Sequence, residues 1–228
     1  MKAMILAAGF GARLRPLTDQ IPKPLLVVGG KPLLQWHIES LVRSGITEVV
    51  VNVSWLAEKI EYYFGDGSNF GIKIMWSRED QPLETGGGIL KALPLLGESP
   101  FVVINADIWS DINVVDVIEN YKDITKIAHL VMVKNPSHND RGDFSLEGDQ
   151  IGFAQPRLTF SGVSILSPRL FSLYPQETFA YPLRNLLKPA ILAGRVSGFL
   201  HTGDWFDIGT IDRYNALKFF INERLNGY

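Results

Sequence analysis

The sequence predicts a single α/β domain on a doubly wound, mostly parallel sheet, and three observations predict it. Short apolar, β-branched runs alternate with longer stretches of helical period. The chain has 228 residues, which suits one core, since single cores grow to roughly 250 residues before dividing. Composition is that of an ordinary globular chain, 46% hydrophobic and 20% charged, so neither disorder nor a fibrous architecture is expected.

Residues 3–8 read as a first buried strand and 32–44 as a first helix. Pro32 suits a first-turn position, and Leu33, Leu34, Ile38, Leu41 and Val42 fall near one face before Gly45 closes the helix. Residues 48–53 and 55–64 repeat the strand and helix. A third strand is expected at 72–77, a helix at about 87–93 and a fourth strand, buried on both faces, at 101–105. In the second half, 113–123 read as helix, 128–133 as strand, and 138–155 as a polar, turn-rich surface excursion. A strand at 160–166, a helix at 181–193, a strand at 196–199 and a closing helix at 211–225 complete the reading. No repeat or low-complexity linker divides the chain.

The formal net charge is −2 and the sequence pI about 6.1, which removes the broad attraction on which nonspecific nucleic-acid binding depends. There is no cysteine, so disulfides, thiolate nucleophiles and cysteine-ligated metals are excluded. His37, His129, His138 and His201 are scattered without a metal-binding spacing and are expected to be structural or solvent-exposed. Residues 3–8 are too short for a signal-peptide core, and no segment reaches the roughly 18 apolar residues of a membrane span. The expectation is a cytoplasmic protein, monomeric or a small homo-oligomer, with neither nucleic acid nor membrane as partner.

The first strand runs into Gly9-Phe10-Gly11-Ala12-Arg13-Leu14-Arg15-Pro16-Leu17-Thr18, at the end of a strand where an open α/β sheet presents its ligand crevice. Gly9 and Gly11 let backbone N–H groups approach a polyphosphate, and Arg13 adds fixed positive charge. A dinucleotide fingerprint fails because Leu14 stands where its third glycine belongs, and a P-loop fails for want of Gly-Lys-Ser/Thr. The continuation Pro22-Lys23-Pro24 restricts the backbone on both sides of Lys23 and so limits where its ammonium points. Further on, Asn105-Ala106-Asp107 ends the buried strand at 101–105, so Asp107 enters the crevice as a hard oxygen donor suited to magnesium.

The run from Leu6 to Pro24 resembles the defining motif of the sugar-nucleotide pyrophosphorylases, Gly-x-Gly-x-Arg-Leu-x-Pro-Leu-Thr followed by Pro-Lys-Pro, and the resemblance extends to Asp207. It implies a Rossmann-like mixed sheet of the GT-A-like nucleotidyltransferase type. The nucleotide portion is expected at about 1–110 and the sugar portion at about 111–228, without an acyltransferase domain. Substrates implied are a nucleoside triphosphate and a sugar 1-phosphate, joined in one in-line displacement with release of pyrophosphate.

The resemblance assigns the nucleotide to Ala8, Gly9, Gly11, Ala12, Arg13 and Lys23, with Glu84, Thr85 and Gly86 beside the base and Asn105 also in the set. It gives Asp207 as the second magnesium ligand with Asp107, and Asp143, Gly162 and Asp207 to the sugar. Arg13, Lys23, Asp107 and Asp207 are the residues expected to carry catalysis. Many members have Glu-Lys-Pro where this chain has Ala154-Gln155-Pro156, so glucose- or glucosamine-type sugar contacts are not expected to carry over unchanged. Glu84-Thr85-Gly86-Gly87-Gly88, Gly142-Asp143-Phe144 and Phe160-Ser161-Gly162-Val163 most resemble members acting on N-acetylmuramic acid α-1-phosphate with UTP in cell-wall recycling. Members using mannose 1-phosphate with GTP or glucose 1-phosphate with dTTP are the alternatives, and behind them stands a noncatalytic nucleotide-sugar sensor on the same fold, against which the retention of Arg13, Lys23, Asp107 and Asp207 together argues.

Overall fold

Strand β1 (Ala3–Leu6) turns Ala3 and Ile5 to one side of the sheet and Met4 to the other, and all three are fully buried. A strand covered on both faces has no polar alternation to show, which is why its sequence reads as a continuous apolar run. In the computed structural model, which describes residues 1–172 and 180–226, the chain continues through a small hairpin, β2 (Val27–Val28) and β3 (Lys31–Pro32), into α1 (Leu33–Arg43). Then follow β4 (Glu48–Val53), α2 (Ala57–Phe64), β5 (Lys73–Arg78), α3 (Glu84–Leu96) and β6 (Phe101–Asn105).

The second half holds β7 (Ile108–Ser110), α4 (Val114–Asn120), β8 (Ala128–Val133), β9 (Ser145–Glu147), β10 (Gln150–Gly152) and β11 (Thr159–Leu166). It closes with α5 (Leu183–Leu192), β12 (Val196–Leu200), β13 (Trp205–Asp207) and α6 (Ile211–Asn226).

The main sheet has nine strands in the order β5-β4-β1-β6-β11-β8-β12-β10-β9. Strands β5, β4, β1 and β6 are mutually parallel, so the expected doubly wound half is present. From β6 onward the sheet is mixed: β11 pairs antiparallel with both β6 and β8, while β12 returns parallel to β8. Chain direction around β1 makes the crevice: the path leaves β1 toward β4 and comes back to its other side at β6, a switch point where ligands settle in open α/β sheets.

One apolar cluster joins Ile5, Val49, Val51 and Ile104 to Leu34, Ile38 and Leu41 of α1 and Ile60 of α2. The opposite cluster joins Met4, Val50 and Val103 to Ile89 and Ala92 of α3 and Leu186, Leu187 and Ile191 of α5. Truncating a fully buried aliphatic chain in either layer costs about 2–5 kcal/mol. A third cluster ties Leu26, Val28 and Leu33 to Trp109, Ile208 and Leu217, fastening α6 beside the start of α1.

Two expectations need correcting. Residues 138–155 are not only a surface excursion, because β9 and β10 form a hairpin that extends the sheet, with Gln150 paired to Ser197 and its Nε2 donating to the Val196 carbonyl at 2.9 Å. An open sheet edge, not local apolar pattern, makes these strands. Helix α3 starts at Glu84, three residues before the expected 87, and continues through Pro94 to Leu96. Its first turn is fixed from afar, by the Tyr181 carbonyl accepting from the Gly86 and Gly87 N–H groups at 3.0 and 3.3 Å. None of the helices among the described residues is long and apolar enough to cross a membrane.

Candidate active site

The loop after β1 folds on itself. Gly11 adopts φ +62, and its carbonyl accepts from the Leu14 N–H and the Thr18 hydroxyl, both at 2.8 Å. A Cβ at Gly11 would stand 2.9 Å from Thr18 Cγ2, so both the backbone angle and the space demand glycine there. The turn that follows, residues 12–14, places Arg13 on the crevice, where it forms no ion pair among the described residues. A short turn at residues 23–25, entered through Pro22 in an extended conformation, buries most of the Lys23 stem and brings its Nζ to 3.0 Å from Asp107 Oδ2. The Lys23 side chain is 11% exposed and that of Asp107 46%, so the lysine is sheathed and the acid remains accessible.

These groups surround a cavity of about 330 Å³ between β1, β6 and the start of α3. Ala8, Gly9, Gly11, Ala12 and Arg13 form one side of it, with Lys23 beside them. Glu84, Thr85, Asn105 and Asp107 also line it. No neighbour lies within 4 Å of a Cβ built on Gly9, so that glycine leaves open space over its backbone. Glu84 has φ +58, a conformation unusual for a non-glycine residue that the start of α3 imposes at the cavity edge.

Other expected residues stand elsewhere. Gly86 does not line the cavity: its N–H serves Tyr181, and an added Cβ would meet the Tyr181 ring at 2.5 Å. Gly162, at φ +84, lies where β11 shifts register against β8, and it makes room for Asn105, whose Cγ is 3.0 Å from where a Cβ would be. It therefore acts on the cavity through Asn105. Asp143 turns its carboxylate to the Phe160 N–H at 2.9 Å and to Asn139 at 3.3 Å, bracing the entry to β11.

Asp207 approaches Asp107 through the backbone. The β13–β7 ribbon pairs Asp207 with Ile108, and the Ile208 N–H donates to the Asp107 carbonyl at 2.7 Å. A hundred residues of sequence separation are thus closed by strand pairing. Its carboxylate carries Arg213 Nη1 on Oδ2 at 2.5 Å and His138 Nε2 on Oδ1 at 2.9 Å.

Sequence reasoning missed four neighbours. Asn52 and Glu79 line the cavity floor: Asn52 Oδ1 accepts the Ala7 N–H at 2.8 Å, its Nδ2 donates to Glu79 Oε1 at 2.7 Å, and Glu79 Oε2 accepts the Leu83 N–H at 2.8 Å. The signal for Asn52 was present, a lone amide in the apolar strand Glu48–Val53. Gly88 packs against the pair, since a Cβ there would stand 2.6 Å from Glu79 Oε1. His138 and Arg213, both on Asp207, carried no signal in the sequence. Behind Asp107, His37 is buried, and burial pushes its imidazole down to about 4 against the opposing pull of backbone hydrogen bonding at Ile108 and Ala106 and of the Asp107 charge.

Among the described residues no three His, Asp or Glu side chains cluster as a ready metal cage. Asp107, which lines the cavity, and Asp207, whose backbone is its neighbour but which is not among the lining residues, are hard oxygen donors of the kind an ion takes singly or in pairs while filling its remaining positions with phosphate and water oxygens. That is magnesium's habit.

Comparison with known proteins places the chain in a family. The Nucleotidyl transferase family model matches residues 2–144. Over 220 residues the chain is 47% identical to N-acetylmuramate alpha-1-phosphate uridylyltransferase of Neisseria meningitidis serogroup B, covering 93% of this chain and 95% of that one. It is 35% identical to the enzyme of that name from Caulobacter vibrioides, with 91% of each covered. It is 33% identical to a mannose-1-phosphate guanyltransferase of Aspergillus oryzae, over 92% of this chain and 61% of that longer one. In fold it matches a glucose-1-phosphate thymidylyltransferase structure from Bacillus anthracis with TM-score 0.88 at 19% identity, covering 98% and 96% of the two chains. With the family model spanning more than half of its length and the switch-point crevice in place, this chain belongs to the nucleotidyl transferase family.

Proposed function

We propose that the protein condenses UTP with N-acetylmuramic acid α-1-phosphate, giving the uridine diphosphate sugar and pyrophosphate. The observation that carries this reading is the Lys23–Asp107 pair, 3.0 Å apart in a cavity that the Gly9–Gly11 loop also lines, with Lys23 packed beside Gly11. The identity of 47% to the Neisseria uridylyltransferase supports the choice of substrates. Such a reaction belongs to cell-wall recycling and to the cytoplasm, where UTP and sugar phosphates are found.

A phosphate oxygen of the sugar 1-phosphate attacks the α-phosphorus of UTP, and the bond to the β-phosphate oxygen breaks in line as pyrophosphate departs. That nucleophile is anionic at neutral pH, so the chain needs no general base; positioning and charge neutralisation supply the catalysis. The N–H groups of the loop from Ala8 to Arg13 cradle the triphosphate, Arg13 holds its outer charge, and Lys23 follows the charge that moves during transfer. Asp107 and Asp207 would hold magnesium, which when bound neutralises charge on the reacting phosphates. The base lies at the end marked by Asn52, Glu79, Glu84 and Thr85, where the buried Glu79 carboxylate accepts a ring N–H. Gly162 and Asp143 shape the sugar side, the first through Asn105 and the second through the start of β11.

One observation favours a second reading. A buried carboxylate also suits guanine, which offers two adjacent N–H donors where uracil offers one. The 33% identity to a mannose-1-phosphate guanyltransferase keeps GTP as that alternative. Pyrophosphate release from UTP, GTP, dTTP and ATP, each with N-acetylmuramic acid, mannose and glucose 1-phosphates, decides the matter. UTP with the N-acetylmuramic substrate is expected to give the highest kcat/KM, and preference for GTP or dTTP overturns the uridylyl assignment.

A further inference from the structure

Arg213 occupies a built seat. It rises from the first turn of α6, its backbone N–H directed at Thr210 Oγ1, and folds back so that its guanidinium lies against Gly209, a residue of the cavity wall. A Cβ at Gly209 would overlap the guanidinium, with Cζ only 2.8 Å away. Gly209 is outside the left-handed region, so the turn itself does not demand glycine there. The missing side chain is the room the guanidinium fills.

Charge gives that seat a purpose. Arg13 and Lys23, the two cations on the cavity lining, both stand on the nucleotide loop side. A second phosphate dianion approaching beside β13 meets Arg213 and His138, which now hold both oxygens of Asp207. With its charge already met by the guanidinium, this acid offers a metal ion a weakened site, and the ion competes with Arg213 for it. Arginine stays protonated and presents paired donors in the planar arrangement that phosphate oxygens match, so it is the partner with a second anion to go to.

We propose that Arg213 is the residue that binds the phosphate of the sugar 1-phosphate, and that its ion pair with Asp207 is a resting contact given up when a divalent ion and that substrate enter. The inference rests on the transferase reading above and adds to it a specific substrate contact. Asp207 passes from guanidinium to metal, and the guanidinium passes from carboxylate to phosphate, so no charge is left unpaired at either stage.

The test uses Arg213→Met, which keeps the apolar stem, and Gly209→Ala, which keeps the charge and displaces it. Manganese binding to the substrate-free protein, read by electron paramagnetic resonance, is expected to tighten at least threefold in Arg213→Met because Asp207 is no longer held. KM for the sugar 1-phosphate that the wild type turns over best is expected to rise at least tenfold in both variants, with KM for the nucleotide within twofold. A brace that merely fixed the turn before α6 would weaken manganese binding and raise both KM values together, and that result overturns the proposal. So does an unchanged sugar-phosphate KM. Should Arg213→Met lose its native circular dichroism, the KM split in Gly209→Ala decides alone. A wild type that turns over no sugar 1-phosphate refutes the transferase reading instead, which keeps the two failures apart.

Discussion

The two walls of the cleft are built in opposite ways. On one wall, Ala8 to Lys23 follow each other within sixteen residues and are set by local devices: a left-handed glycine, a hydroxyl closing onto its carbonyl, and prolines around the lysine. On the other, Asp107, His138 and the Asp207–Arg213 stretch come from three separate parts of the chain and meet because β13 pairs with β7. The local wall is read directly in the sequence; the assembled wall depends on the core beneath it. The contiguous wall therefore keeps its shape through its own turns, while the assembled one can exchange partners without breaking a turn.

The largest expected effect falls where the walls touch. Lys23→Ala or Asp107→Ala should lower turnover about a hundredfold or more, equivalent to about 3 kcal/mol of barrier, with the thermal midpoint little changed. Near-normal pyrophosphate release by either purified variant would break the assignment.

Next comes the support of the acid wall, which rests on an uncharged His37. The unfolded imidazole takes a proton below its ordinary 6.5, whereas the folded ring waits until about 4, so in that window the unfolded chain binds more protons. Stability is full above pH 6.5 and falls as pH drops toward 4, by about 2 kcal/mol between 6.5 and 5. Urea unfolding across that range should show the slope, and His37→Leu should flatten it. A slope of equal size in the variant would show that other groups cause it. His129, also buried and held down to about 4 by desolvation, is expected to account for part of the remainder.

A comparable or smaller effect concerns the base end. Gly88→Ala pushes a methyl group into the Asn52–Glu79 pair and should cost about 1–2 kcal/mol of stability while raising the nucleotide KM. Unchanged nucleotide selectivity in this variant would separate Glu79 from base recognition. Smallest is Asp143→Asn, which keeps an acceptor for the Phe160 N–H and should cost about 1 kcal/mol or less. If KM for the sugar phosphate rises severalfold without further loss of stability, Asp143 touches the sugar directly and its bracing role is secondary.

Legibility followed the range of the interactions. The strands at 3–6, 48–53 and 101–105, the glycine turn and Asp107 were readable because strand pattern, turn chemistry and strand-end position are local properties. Asp207 was reached only by resemblance, and its partners His138 and Arg213 were invisible because nothing near either residue encodes the carboxylate it meets. The β9–β10 hairpin escaped for the same reason: Gln150 is strand because Ser197 lies opposite it. Glu84 was read as a loop residue before a helix, yet the Tyr181 carbonyl draws the helix start back to include it. Gly162 was assigned to the sugar by resemblance, and the group packed against it in the structure is Asn105.

The grip of Tyr181 on the start of α3 has a directional consequence. Helix beginnings attract anions through their unpaired amides, and here two of those amides are already spent on a carbonyl. The start of α3 thus turns no amide of Gly86 or Gly87 toward a ligand, and under the proposed function the triphosphate relies on the amides around Gly9 and Arg13. Under the proposed function, a nucleotide entering backwards would bring its charge toward the Glu79 and Glu84 carboxylates rather than toward the loop amides.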